Sequence, residues 1–379
     1  MRIAAIAART VRWPIAGTGA ARGRTERAAV IVEVRTERGA IGLGEAAPLP
    51  GMSSDTLGDA ARAITTFPRL TGATLDDPDA LRQLAGERGV ILTPAAWFAL
   101  ETAVFDAFAR ERGISLAALL RTGLPEPGHA DTQRSLRVPL AAVVDDPGTA
   151  GAAFAAGIRC VKIKLGPDES LDRVRAIAAA APGAMLRIDA NQSWPRSEVI
   201  DRLAALAALP IEFVEEPCRD PVSLLWSGPL PCKIALDESL SSMIAEQLSR
   251  AVTCPDLAAL VLKPVLNGGL SGCLALARIA HRHRVAAVVS HGLEGPIGTA
   301  ACAELALAVA VGLAAERPPG PAAGLAAHPA LAGWQLPVAQ LAADHVRPAT
   351  APGLGFVDLD LAGALRACAS RVDDQEPPR

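Results

Sequence analysis

The 379-residue sequence predicts an α/β protein, a (β/α) barrel preceded by a smaller α+β unit, and three observations carry that prediction. Between Val138 and Ser290, short apolar runs alternate seven times with helical segments rich in Ala, Leu and Arg. Each run is apolar on both faces, as strands covered by helices on either side must be. Upstream of the Gly/Pro-rich stretch Gly123 to Gly128 (GLPEPG) the hydrophobic pattern is different, so a domain boundary is expected there. A chain of this length exceeds one small core and suits a barrel with an attached cap. Pattern alone keeps an open doubly wound sheet as the alternative.

The elements follow in order. Residues 1 to about 50 read as β-structure: Ala28–Val34 (AAVIVEV), turn chemistry at Thr36-Glu37-Arg38-Gly39, then Ile41 and Leu43 predict a hairpin or meander. Residues 54 to 121 are helical, with Thr93 as an N-cap, Pro94 at the first helical position and apolar spacing through Trp97, Leu100, Val104 and Phe108. Barrel strands are expected at Val138–Val144, Cys160–Leu165, Met185–Asp189, Ile211–Glu215, Lys233–Asp237, Leu257–Lys263 and Val285–Ser290. Residues 345 to 370 hold a further strand-like segment and a helix, and the tail Asp373–Arg379 (DDQEPPR) reads as disordered.

Composition excludes several function classes. Half the residues are hydrophobic and the formal net charge is −3, which lacks the basic excess that nucleic-acid binding requires. The longest strongly apolar run, Leu305–Ala315, is flanked by Glu304 and Glu316 and falls short of the roughly 20 residues a membrane span needs, so it predicts a buried helix and no membrane association. The N-terminal segment carries Arg2, Arg9 and Arg12 without an apolar core or cleavage site, and a cytoplasmic location is expected. Cysteines at 160, 218, 232, 254, 273, 302 and 368 are never spaced C-x-x-C, which predicts small core residues rather than disulfides or a zinc site. Tyrosine is absent, leaving Lys, His, Asp and Glu for acid/base chemistry.

Five apolar runs end in an ionisable residue: Lys164, Asp189, Glu215, Asp237 and Lys263, at spacings of 25, 26, 22 and 26. A single strand-end charge is explained by solvation, but five recurring with the period of the fold would converge on the C-terminal mouth of a barrel. Asp189, Glu215 and Asp237 then offer hard oxygen ligands from successive strands, which suits Mg²⁺ and without a cation would repel one another. Lys162 and Lys164, two apart on one strand, face the same side, with Lys263 across the mouth. A neighbouring ammonium and a dication would both press a lysine toward its neutral form, so a lysine base near pH 7 is expected. Such a set suits removal of a proton α to a carboxylate, with the metal stabilising the enediolate. Arg173, on the next helix, is expected to stand apart from this chemistry.

In order and spacing, Val161-Lys162-Ile163-Lys164, Asp189-Ala190-Asn191, Glu215-Glu216-Pro217-Cys218, Asp237-Glu238-Ser239 and Lys263-Pro264 resemble the muconate-lactonizing branch of the enolase superfamily. Within it, Gly44-Glu45-Ala46-Ala47-Pro48-Leu49-Pro50-Gly51 resembles the specificity loop of the o-succinylbenzoate synthases. Glu101–Leu120 is similar to the last cap helices and Pro352–Asp360 to the C-terminal return to the cap. The resemblance implies a TIM-type barrel over residues 126–335, modified by an α+β capping domain over 1–125 that a C-terminal segment over 336–379 completes. It also implies that Asp189, Glu215 and Asp237 bind Mg²⁺, with Mn²⁺ as the alternative. Lys164 would abstract the α-proton, Lys162 orient the substrate carboxylate and Lys263 stabilise the enediolate, while Asn191 and Glu238 orient the ligands. Gly51, Met52, Ser290, His291 and Gly292 are expected at the substrate. The implied activity is dehydration of 2-succinyl-6-hydroxy-2,4-cyclohexadiene-1-carboxylate in menaquinone synthesis, with N-acylamino acid racemase, dipeptide epimerase and muconate cycloisomerase as alternatives. Dipeptide epimerases hold their substrate's ammonium with a D-x-D pair near strand eight, whereas residues 311 to 340 contain no Asp. The expected partner is a small carboxylate, and a homo-oligomer is left open.

Three weaker signals remain. His281 and His283 precede strand seven and are expected on the surface at the bottom of the barrel. Gly268, Gly269 and Gly272 lack the G-x-x-x-x-G-K signature and are expected in a turn lining the substrate. His291 departs from the small, serine-rich residues of the synthases, and its position in or out of the pocket is left open.

Overall fold

The computed structural model describes residues 1–15, 25–77, 80–122, 136–313, 320–334 and 336–356. The boundary expected at 123–128, the helix expected near the C-terminus and the tail 373–379 lie outside the described residues.

The N-terminal β-rich segment forms an antiparallel meander of β1 (Ile3–Pro14), β2 (Glu26–Thr36) and β3 (Ile41–Ala46). Gly39, at φ +87°, supplies the left-handed residue that closes the β2–β3 turn. Helices α1 (Leu57–Ile64), α2 (Ala80–Glu87), α3 (Pro94–Glu111) and α4 (Leu116–Leu120) follow. Thr93 is the N-cap of α3 and Pro94 its first residue, yet the Thr93 side chain makes no capping bond; Asp55 accepts from the Ala95 amide at 3.0 Å instead. The predicted apolar stripe of α3 widens to burial of every residue from Ala95 to Ala109, because the helix lies between the cap sheet and a barrel helix. Its approach to β3 is so close that a Cβ at Gly44 would stand 1.8 Å from the Ala99 carbonyl oxygen.

In the barrel, β4 (Val138–Pro139) and β5 (Ala141–Val143) replace the single strand expected over Val138–Val144. Pro139 has no N–H to continue a ladder, and the chain changes partners at Leu140: β4 pairs antiparallel with a later strand while β5 starts the parallel sheet. That sheet continues through β6 (Cys160–Lys164), β7 (Met185–Asp189), β8 (Ile211–Glu215), β9 (Ile234–Leu236), β10 (Leu257–Leu262) and β11 (Ala286–Val289). Between them run α5 (Pro147–Ala155), α6 (Leu171–Ala180), α7 (Val199–Leu206), α8 (Pro221–Leu224), α9 (Ala245–Ala251) and α10 (Gly269–Arg282), and α11 (Pro296–Leu313) follows β11. Residues 323 and 324 close the ring: Ala323 bridges Leu140, and Gly324 bridges Ser290. They take the place of an eighth strand. The run beginning at Leu305 is indeed a buried helix, and among the described residues no helix is long and apolar enough to cross a membrane.

β12 (His345–Val346) pairs with β4, and beyond it Gly353 exchanges backbone hydrogen bonds with Ile114 and Leu116 of the cap. Buried carboxylates fasten cap to barrel. Glu45 accepts from the amides of Gly295 and Gly298 at the start of α11; Glu101 of α3 accepts from Leu270 and Ser271 at the start of α10. Reciprocally, Glu304 of α11 accepts from the Ala117 amide of α4. Each acid satisfies helix-terminal donors that would otherwise be buried unpaired. The Gly268–Gly269–Gly272 turn is therefore not the substrate-lining turn expected: a Cβ on Gly269 would meet the Glu101 carboxylate at 2.1 Å, so its glycine serves the junction with the cap.

Glu101→Leu should lower stability by about 3 kcal/mol in urea unfolding, because it strands buried amides, and Glu101→Gln by about 1 kcal/mol. Burial raises the Glu101 pKa to about 7 against the pull of its hydrogen bonds. A pKa raised on folding gives stability that is complete below the unfolded value and lost as pH rises through the folded one. The cost of Glu101→Gln should accordingly shrink between pH 5 and pH 8; a cost that grows over that range would contradict the junction's charge state.

Candidate active site

Strand register assembles the charges. In the parallel ladder Lys164 stands beside Asp189, and Asp189 beside Glu215, so three ionisable residues lie abreast on three neighbouring strands. Side chains alternate between faces of a strand, which puts Lys162 on the inward face with Lys164 and leaves buried Ile163 on the other. One row below lie Lys162, Arg187 and Phe213. Asp237 and Lys263 follow the last residues of β9 and β10 at the same end of the barrel. A cavity of about 240 Å³ opens there, and its wall includes Lys162, Lys164, Asp189, Asn191, Glu215 and Lys263. Asp237 is buried beside it, ion-paired to the Lys263 ammonium.

The ammonium groups sit among the carboxylates. Lys162 Nζ lies 2.8 Å from both oxygens of Glu215 and 2.9 Å from Asp189 Oδ2. Burial raises the Glu215 pKa to about 8, with Asp189 and Asp237 adding to the rise against the pull of Lys162. Burial also works against the Asp189 carboxylate, but Lys162, Lys164 and Lys263 outweigh it and hold that pKa low. For Lys162 and Lys263 the same contest ends in a raised pKa: burial disfavours the ammonium, and the neighbouring carboxylates more than restore it. Lys162 and Lys263 are therefore held as ammonium groups by the carboxylates around them.

Among the described residues no three metal-binding side chains converge as they stand, since the ammonium groups lie between their oxygens. The donor set still fits a hard divalent cation: three buried carboxylates at adjoining strand ends that cannot all ionise without added positive charge. Around them the backbone is strained. Asn191, Gln192 and Glu216 all have positive φ, just after Asp189 and Glu215. Asn191 donates from its side chain to Glu238 at 3.1 Å and from its amide to Asp189 at 3.0 Å. Glu216, unremarked beyond its place in the Glu-Glu-Pro motif, accepts from the amides of Asp237 and Ser239 and from the Gln192 side chain, binding the ends of β7, β8 and β9 together.

The remaining walls come from two loops and the residues after 324. Gly51 and Met52 belong to the cap; Ser290, His291 and Gly292 follow β11. Arg27, which no sequence signal marked, is 3% exposed and ties the two loops together, donating to the carbonyls of Ala47 and Pro48 on one side and Leu293 on the other. His291 is settled as a wall residue, stacked on His328 at a ring separation of 4.0 Å. His328 escaped notice because the bridging residues before it are too short and small to read as a strand. His281 and His283 are exposed at the opposite end, as expected. Arg173 does not stand apart: its guanidinium bonds to the carbonyls of Lys164 and Asp145, both at the cavity, so it braces the strand end that carries Lys164.

Two family models match the chain: the mandelate racemase/muconate lactonizing enzyme N-terminal domain over residues 3–121, and the enolase C-terminal domain-like family over residues 148–360. An o-succinylbenzoate synthase from Pasteurella multocida is 30% identical over 278 residues, covering 70% of this chain and 74% of its own. An L-Lys-D/L-Arg epimerase from Methylococcus capsulatus is 31% identical over 322 residues, 81% of this chain and 87% of that one. The solved dipeptide epimerase from Methylococcus capsulatus, in complex with Mg and the dipeptide L-Arg-D-Lys, superposes with a TM-score of 0.72 at 26% identity, over 94% of this chain and 100% of its own. Matching models over both the cap and the barrel, together with charged residues gathered at the barrel mouth, make this chain a member of the mandelate racemase/muconate lactonizing enzyme family within the enolase superfamily.

Proposed function

We propose that the protein is a magnesium-dependent o-succinylbenzoate synthase, dehydrating 2-succinyl-6-hydroxy-2,4-cyclohexadiene-1-carboxylate in menaquinone synthesis. The observation that carries this is the wall at and after Gly324: among the described residues it consists of Gly324, Ala326, Ala327 and His328 and offers no carboxylate to a substrate ammonium. Asp145, the wall's acid outside the Asp189–Glu215 pair, is exposed at the rim with Arg173 bonded to its carbonyl. Three lysines meanwhile make the cavity receptive to an anion.

Asp189, Glu215 and Asp237 would hold the cation, with Asn191 and Glu238 orienting them. Magnesium, when bound, supplies positive charge opposite the substrate carboxylate, where negative charge grows as the α-proton leaves. Lys164 takes that proton; the C–H electron pair moves into the enediolate and then expels the hydroxyl as the C–O bond breaks. The same amine returns the proton to the departing oxygen, so water leaves and the charge balance is kept. Lys162 orients the carboxylate, and Lys263 stabilises the enediolate from across the mouth. The second reading, racemisation of an N-acylamino acid, is favoured by the presence of lysines on both sides of the mouth and by the epimerase relative. It needs both amines to exchange protons.

Chelation should abolish turnover while the far-ultraviolet dichroism stays unchanged, because the carboxylates are assigned to chemistry rather than to holding the barrel. Asp189→Asn, Glu215→Gln and Asp237→Asn should each weaken Mg²⁺ binding about tenfold or more by calorimetry. A variant with parental affinity removes its residue from the ligand set.

Purified protein should convert the cyclohexadiene acid to o-succinylbenzoate and leave dipeptides unepimerised. Lys164→Ala should stop α-proton exchange with deuterated solvent. Efficient exchange into both enantiomers of an N-acylamino acid, with the cyclohexadiene acid untouched, would replace the synthase reading by the racemase one.

A further inference from the structure

The ring order β5 to β11, closed by residues 323 and 324, sets β11 opposite β7 and the closing segment opposite β8. His291 follows β11 and His328 follows the closing segment, so the stacked pair lies across the mouth from Asp189 and Glu215. A substrate whose reacting carboxylate sits over those acids has the histidines on the wall opposite, within the same cavity.

The hydrogen bonds of the pair fix what it can offer. The Leu293 amide donates to His291 Nδ1 at 3.1 Å, so that nitrogen bears the lone pair and the neutral ring carries its proton on Nε2. Among the described residues Nε2 has no hydrogen-bond partner, on a ring that lines the cavity. Burial, His328 and the three lysines all disfavour a charged His291, which keeps the ring neutral. His328 Nε2 lies 3.2 Å from Thr299 Oγ1, a buried hydroxyl of α11, while His328 Nδ1 is buried without a partner. A buried nitrogen left unpaired beside a cavity marks a place where a ligand or water completes the network.

We propose that His291, held in place by His328, is the hydrogen-bond donor that receives the terminal carboxylate of the substrate's succinyl tail. The assignment rests on the synthase reading for its substrate, but the tail, not the ring, is what it recognises. A neutral donor facing lysines admits an anion and gives no counter-charge to an ammonium, so the subsite selects acyl tails that end in an acid. His291 is a specificity residue: it touches the tail and moves no proton.

The test uses magnesium-loaded protein and two ligand pairs that differ only in exchanging the terminal carboxylate for a methyl group. They are o-succinylbenzoate against 2-butanoylbenzoate, and N-succinylphenylglycine against N-butanoylphenylglycine. Calorimetry should show the parent preferring the succinyl member about 10- to 100-fold, as a hydrogen bond to a charged group would give. His291→Phe, which keeps a ring against His328, should bring the succinyl affinity down to that of its butanoyl partner, and His291→Gln, which keeps an N–H donor, should restore part of the preference. A preference confined to the phenylglycine pair keeps the subsite and removes the synthase reading. Absence of preference in both pairs, its survival in His291→Phe, or equal loss for both members of a pair would overturn the subsite.

Discussion

Three carboxylates side by side in a buried barrel mouth cannot all carry charge unless positive charge stands among them, and the rest of the site is arranged around that requirement. Parallel register sets Asp189 against Glu215 and leaves no freedom to separate them. Lys162 and Lys263 answer the repulsion from within the cluster, while burial, together with Asp189 and Asp237, pushes the Glu215 carboxyl upward. Two ammonium groups packed against three acids make a set whose donors suit a hard dication. The turns after β7 and β8, with positive φ at Asn191, Gln192 and Glu216, and the buried Glu216 carboxylate tie the ends of the acid-bearing strands together.

The cap and the barrel share the pocket through backbone contacts as much as through side chains. Arg27 bonds to carbonyls of the cap loop and of the loop after β11, so two walls of the cavity are tied together by one guanidinium. Glu45 and Glu101 anchor the cap on the starts of the last two barrel helices. Specificity and stability are therefore linked: a change that loosens the junction also shifts the walls. The acid-bearing side is built on β7 to β9, which the parallel ladder joins.

Much of this was legible in the sequence because the fold repeats. Strands ending in Lys164, Asp189, Glu215, Asp237 and Lys263 at nearly constant spacing declare both the barrel and the end at which its charges gather. What stayed hidden has a common cause: roles set by contacts distant in sequence. Arg27 reads as a strand residue, Glu101 and Glu304 as helix surface, and Gly269 as loop; their functions arise only once cap meets barrel. His328 was hidden by the brevity of the segment before it, and Arg173 by helical periodicity that says nothing of a guanidinium reaching back to a strand end. Spacing shows which charges converge but not which of them pair, so the contact of Lys162 with both Asp189 and Glu215 could not be read from it.

Lys162 and the Asp189 carboxylate compensate one another in the barrel mouth, and a double-mutant cycle measures that compensation most directly. Unfolding free energies of the parent, Lys162→Met, Asp189→Asn and the double variant, measured without metal, should give a coupling energy of about 2 kcal/mol or more, because each single change leaves a buried charge uncompensated. Additivity within about 0.5 kcal/mol would contradict the account.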